Sequence, residues 1–152
     1  MQRGISPVVG VALLAFLTIL LALTVGAAVP SLSDEPPPRA QLSVSANASA
    51  DRIAITHHSG SALDVTDLRV AVAVDGTELT HQPPVPFFAA RGFRSGPTGP
   101  FNTASPDDWR AGQTAGFRIA STNSPTLDPG ATVAVTVATD RTILLDTTTT
   151  AT

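Results

Sequence analysis

The sequence contains no cysteine and no lysine. The first absence excludes a disulfide framework, a thiol nucleophile and a thiolate metal site. The second means that all nine basic residues are arginine, set against ten Asp and two Glu. The net charge of −3 is mild and acidic, which argues against a nucleic-acid partner, since such partners select a basic face. Phosphate-loop chemistry is missing too: Gly92, Gly96 and Gly99 are followed by neither Lys-Ser/Thr nor a helix. No GxSxG elbow surrounds any serine. His57 and His58 are adjacent on an expected strand and point to opposite faces, so one metal cannot easily take both. No Cys or carboxylate spacing joins His81 to either of them. The three histidines read as exposed or edge residues, and the chain as a non-enzyme without cofactor or metal.

Charge is also missing from one long stretch. Ile5 to Val29 is 25 residues without a charge, 19 of them apolar. At about 1.5 Å per residue this run matches a hydrocarbon core of about 30 Å. Ser6 suits an N-cap and Pro7 the first helical position, where its missing N–H costs nothing. Pro30 bars further helix. The spacing predicts a helix from about Pro7 to Ala28. Val8, Ala12, Ala15, Ile19, Ala22 and Gly26 fall four, three, four, three and four residues apart. Such a stripe lets helices approach closely where lipid supplies no hydrophobic contrast. Arg3 precedes the run while Asp34 and Glu35 follow it, which places the N-terminus inside and the remainder outside. Three processing fates are open: a cleaved secretory signal, an uncleaved signal anchor, or a cut ahead of the apolar run that keeps the helix.

The third fate has a family behind it. Arg3-Gly4-Ile5-Ser6-Pro7-Val8-Val9-Gly10-Val11, abutting the apolar helix, resembles the N-terminus of archaeal type IV pilins with their class III signal peptide. The resemblance implies leader cleavage between Gly4 and Ile5. It also implies partners: identical or related pilin subunits, a prepilin peptidase, and pilus assembly machinery comprising an ATPase and a membrane platform. The place implied is the cell membrane with the head outside, then a surface pilus serving adhesion. The fifth mature position, Glu in most bacterial relatives, is Val9 here.

Past the helix, Ser31 to Arg39 carries three consecutive prolines and reads as an extended spacer. Period-two patterns follow at Leu42/Val44/Ala46, Ile53/Ile55/His57, Leu68/Val70/Val72/Val74, Phe117/Ile119, Val133/Val135/Val137 and Ile143/Leu145. Asp75-Gly76 is a hairpin signal and Asp128-Pro129-Gly130 a turn. The expected fold class is α+β: one N-terminal transmembrane or filament-core helix, then a mainly β head built as an immunoglobulin-like β-sandwich. The run Ile53 to Gly60, then Leu63 to Leu68, also resembles the opening of archaeal pilin heads. The expected parts are a leader 1–4, a helix 5–29, a linker 30–39, a head 40–146 and a disordered Thr-rich tail 147–152.

Residues 81–113 hold five of the seven aromatics among many Pro and Gly. Aromatics are depleted in disorder, so this loop is expected to pack. Phe87, Phe88, Phe93 and Trp109 either cap the sandwich as core or, with Arg91, Arg94 and Arg110, form a contact surface; capping is the preferred reading. Asn47-Ala48-Ser49 is an N-glycosylation acceptor in an expected turn. The reading that competes with the pilin is a single-pass membrane-anchored β-domain that binds a ligand outside the cell.

Overall fold

The computed structural model describes residues 6–27 and 35–152, with side chains from 23 to 27 left aside. The chain divides into two compact units between Pro36 and Pro37. In the first, helix α1 spans Pro7–Ala27. The Ser6 carbonyl accepts the amides of Val9 and Gly10, at 2.9 and 3.1 Å, and so starts the helical ladder.

The second unit is antiparallel throughout its named strands. These are β1 (Ala40–Asn47), β2 (Arg52–Gly60), β3 (Leu63–Asp64), β4 (Arg69–Val74), β5 (Thr77–Glu78), β6 (Asp108–Trp109), β7 (Thr114–Arg118), β8 (Thr132–Ala138) and β9 (Ile143–Thr150). One sheet runs β1-β2-β7, another β5-β4-β8-β9, and β3 pairs with β6 alone. Alternation sets the register. Ile53 lies opposite Phe117, and Val70, Val72 and Val74 lie opposite Val137, Val135 and Val133. The inward residues of both larger sheets join one buried cluster. Each fully buried Val, Ile or Phe contributes about 1.5–3 kcal/mol. One helix followed by a mostly β head is therefore the fold class that the patterning predicts.

Turn chemistry fixes the corners. Asp75 and Gly76 both have positive φ, 50° and 80°, as a two-residue type I′ hairpin requires. The Asp75 carboxylate also accepts the Thr132 amide at 2.8 Å, tying the hairpin to β8. Strand β5 is only two residues long and leaves Val72 without a full ladder partner on that side. Gln82 fills the gap: its Oε1 accepts the Val72 amide at 2.7 Å, and its Nε2 joins the Leu79 amide in donating to the Val72 carbonyl, at 2.9 and 3.0 Å. A side-chain amide here substitutes for a strand's peptide group.

Three expectations are corrected. The tail is ordered: Thr147 to Thr150 belong to β9 and pair with Val135 to Thr132. Ala151 is buried, and Thr152 donates its amide to Ala46 while its carbonyl accepts the amide of Ala48. β-branched threonines suit a pleated surface although they carry no apolar alternation. His57 is fully buried rather than exposed. Its Nδ1 lies 3.2 Å from the Trp109 carbonyl and its Nε2 3.1 Å from the Ser59 carbonyl, so its ring is held between two backbone acceptors. His58 does point the other way, exposed beside the Ser43 hydroxyl. The third correction concerns the aromatic loop. Phe87, Phe93 and Trp109 are buried, but Phe88 is 59% exposed and caps nothing.

Candidate assembly surface

Among its described side chains, helix α1 is apolar on every side. Its described large side chains, from Val8, Val11 and Leu14 to Phe16 and Ile19, all stand exposed. A helix that is hydrophobic all round has no stable place in water; it belongs inside other protein or lipid. Leaving so many aliphatic side chains in water forgoes on the order of 10 kcal/mol or more. The one described polar side chain within it, Thr18, donates its hydroxyl to the Leu14 carbonyl at 2.7 Å, so it does not interrupt the surface. Among the described residues no helix is long and apolar enough to cross a membrane. The stretch with described side chains, residues 7–22, measures about 24 Å as a helix; the backbone helix continues to Ala27.

The small-residue stripe lies on this helix. Val8, Ala12, Ala15, Ile19 and Ala22 are exposed, and Gly26 is within the helical backbone. Gly4 and Ile5, the expected cleavage pair, lie outside the described residues.

In the head, Asn47 caps the short 3₁₀ turn Ala48–Ala50. Its Oδ1 accepts the Ala50 amide at 2.9 Å and the Ser49 hydroxyl at 2.7 Å. The acceptor sequence is therefore folded on itself at the surface. The 81–113 loop is held by its rings. Phe93 meets Phe117 edge-on at 5.4 Å, and Phe101 meets Trp109 at 5.2 Å. Trp109 also donates its indole N–H to the Gln113 carbonyl. Of the loop arginines, Arg110 pairs with Asp108 at 3.1 Å and Arg94 with Asp51 at 3.4 Å. Arg91 is exposed.

The residue that sequence reading missed as an anchor of this loop is Asn123, in the turn after β7. It is buried, accepts the amides of His81 and Ser124 on Oδ1, and donates Nδ2 to the carbonyls of His81 and Gly92. It clamps both ends of the loop's first half. Its only sequence signal is an Asn in a Ser/Thr/Pro-rich turn, which by itself says nothing of burial. Among the described residues no three His, Asp or Glu side chains gather as a metal site. His57 contacts Trp109, and His81 serves through its backbone.

Among the described residues, Asp64 is the one titratable side chain with a clear perturbation. It caps the turn Val65–Asp67, and its carboxylate is held below the ordinary aspartate range, first by the Thr66 hydroxyl at 2.6 Å and then by the Thr66 amide at 2.9 Å. The group is solvent-exposed and makes a local cap rather than a reactive centre.

A helix with apolar side chains on all its described faces, carrying a stripe of small residues, precedes a polar β head. Residues 3–44 match the family described as archaeal type IV pilin, N-terminal. Over that stretch the chain is similar to the N-terminal domain of archaeal type IV pilins. A similar sequence is an uncharacterized protein of Archaeoglobus fulgidus, 35% identical over 74 residues. The match covers 47% of this chain and 52% of that protein, so the chain spans about half the length of the relative.

Proposed function

We infer that the chain is a structural subunit of a type IV pilus-like surface filament, with adhesion as the role of the finished filament. The observation that carries this is the uncharged helix Pro7–Ala27, exposed on all its described faces, within the segment that matches the pilin family. Before assembly the helix rests in the cell membrane with the head outside. Its 21 residues make about 31 Å of helix, the thickness of a hydrocarbon core. During assembly, burial against identical helices replaces lipid, and the stripe from Val8 to Gly26 provides the close approach. The work done is assembly rather than catalysis.

A prepilin peptidase cuts between Gly4 and Ile5. A small residue ahead of the cut lets the backbone enter a protease, and Ser6-Pro7 keeps the bond outside the helix. Cutting removes Arg3, so the helix leaves the bilayer without moving that charge through it. The assembly ATPase and platform protein supply the extraction. Asn47, in its surface turn, is a glycan acceptor after export.

The test is the mass and N-terminus of the protein on cell-surface filaments. A mature chain starting at Ile5 is expected, and Gly4→Trp should leave the uncut form in membranes with no filaments. A mature chain starting near Ala28 would make the helix a discarded secretory signal and overturn the reading.

A further inference from the structure

One concavity in the head is lined by three arginines. It has a volume of about 300 Å³, and its walls include Arg52, Arg94, Arg118, Ser95, Thr98 and Phe117. No carboxylate lines it. A chain of net negative charge thus gathers a third of its cations around one small hollow.

The backbone builds this arrangement. Arg52 on β2 and Arg118 on β7 are direct cross-strand partners. Like charges opposite each other destabilise a sheet unless something between them carries the opposite sign. The loop 93–101 forms the facing wall. It comes close because Thr98 bridges Gly116 through both backbone bonds, at 2.8 and 3.1 Å, and because Gly99 sits against the Thr114 carbonyl. A Cβ at Gly99 would lie 2.3 Å from that oxygen, and one at Gly116 would lie 2.8 Å from the Ile53 carbonyl. Gly99 is therefore what lets the loop stand over the strand and close the hollow, while Gly116 lets β7 lie close against β2.

The cations are under-used. Arg52 donates to the Thr98 hydroxyl at 3.2 Å, a neutral acceptor. Arg94 reaches Asp51 at 3.4 Å, a long contact with over half of its own side chain in solvent. The Arg118 side chain has no hydrogen-bond or ion-pair partner among the described residues. Three arginines whose backbones are set around one hollow by strand register and a bridged loop can turn guanidinium forks toward a planar or tetrahedral anion.

The geometry points to a binding site for an acidic sugar, a carboxylate-bearing saccharide unit, in this arginine-lined hollow. Volume and lining select that class. About 300 Å³ is at the small end for ligand pockets and accommodates a single ring. The Ser95 and Thr98 hydroxyls suit a polyhydroxylated ligand, whereas a lone Asp or Glu side chain would meet the charge without filling the room. A saccharide of this class on a cell or mineral-bound surface would give a displayed head something to hold. Binding at this site does not depend on filament assembly, so it stands or falls separately from the pilin reading.

The experiment is calorimetric titration of the full chain in detergent micelles with trigalacturonate, at fixed ionic strength. Neutral galactotriose, inorganic sulfate and an Asp-rich hexapeptide serve as comparison ligands. We expect trigalacturonate to bind and galactotriose not to. Arg118→Gln should weaken binding at least fivefold, and the Arg52→Gln/Arg118→Gln pair should abolish it. Arg141→Gln, remote in sequence and exposed, should leave it unchanged. Melting temperatures of the Gln variants should match or exceed the parent's, since a like-charge pair is removed, which separates lost binding from lost folding. The assignment is overturned if trigalacturonate does not bind, if Arg118→Gln binds it equally, or if sulfate or the acidic peptide binds as tightly as the sugar.

Discussion

Val72 and Ala73 are neighbours with opposite fates. Val72 is 1% exposed among the valines of the opposing strand, whereas Ala73 is half-buried on the outer face beside Glu78. Val72→Asp buries an unpaired carboxylate and should cost about 3–5 kcal/mol, enough to unfold a marginal head. Ala73→Asp should cost about 1 kcal/mol or less. Urea unfolding of the two variants checks this, and equal losses would mean that the register is wrong. At Asp64 the expectation concerns pH. Its carboxyl is lowered on folding, so its contribution is present above the unfolded value and is lost as pH falls through the folded one. Thr66→Val removes the hydroxyl, the larger cause, and keeps the amide. The Asp64 midpoint should rise part of the way toward 3.8, measured by carboxyl NMR titration. An unmoved midpoint would assign the shift elsewhere. Residues of these two kinds differ in legibility. Val72 was readable because apolar alternation reports burial directly. His57 was not: what makes it a core residue is two carbonyl oxygens, one of them on Trp109, that only the fold brings to its ring.

At the scale of elements, β4 and β8 announce themselves, whereas β9 does not. Its last four residues are threonines, so period two carries no contrast in hydropathy and the segment reads as featureless. What orders it is the unpaired edge of β8 and the branching of threonine at Cβ, a preference that shows only beside a partner strand. Deleting residues 147–152 would strip the pairing of Thr132 to Val135 and both bonds between Thr152 and the β1 end. The head should lose about 10 °C or more in melting temperature and expose β8 as an edge. A deletion that melts with the parent would show that the tail adds nothing. The arginine hollow was illegible for a related reason. Arg52 and Arg118 are far apart in sequence, and only the β2–β7 register sets them opposite each other.

For the whole molecule, the division between Pro36 and Pro37 separates a helix that needs company from a head with its own buried cluster. A chain beginning at Pro37 should fold alone, with a β-type circular dichroism spectrum and a cooperative melt. A helical or random-coil spectrum would sink that expectation. The two halves were legible to different depths. The likeness to the pilin N-terminus is written in a short local string, from Arg3 to Val11. The head's outline is legible as alternation, and its closures are not, because Gln82, Asn123 and Thr152 act by hydrogen bonds at long range.

The course of β1 and β2 has a mechanical meaning. The linker enters the head at Ala40, which pairs with Gly60; the far end of the same ladder is Asn47 opposite Arg52, at the arginine hollow. A tether pulling on Ala40 against a load held at Arg52 and Arg118 draws the two strands past each other lengthwise. Ladder hydrogen bonds lie across the strands, so they bear that tension side by side rather than parting one after another like a zip. If the hollow holds a load, a head strung this way resists being pulled open by that load.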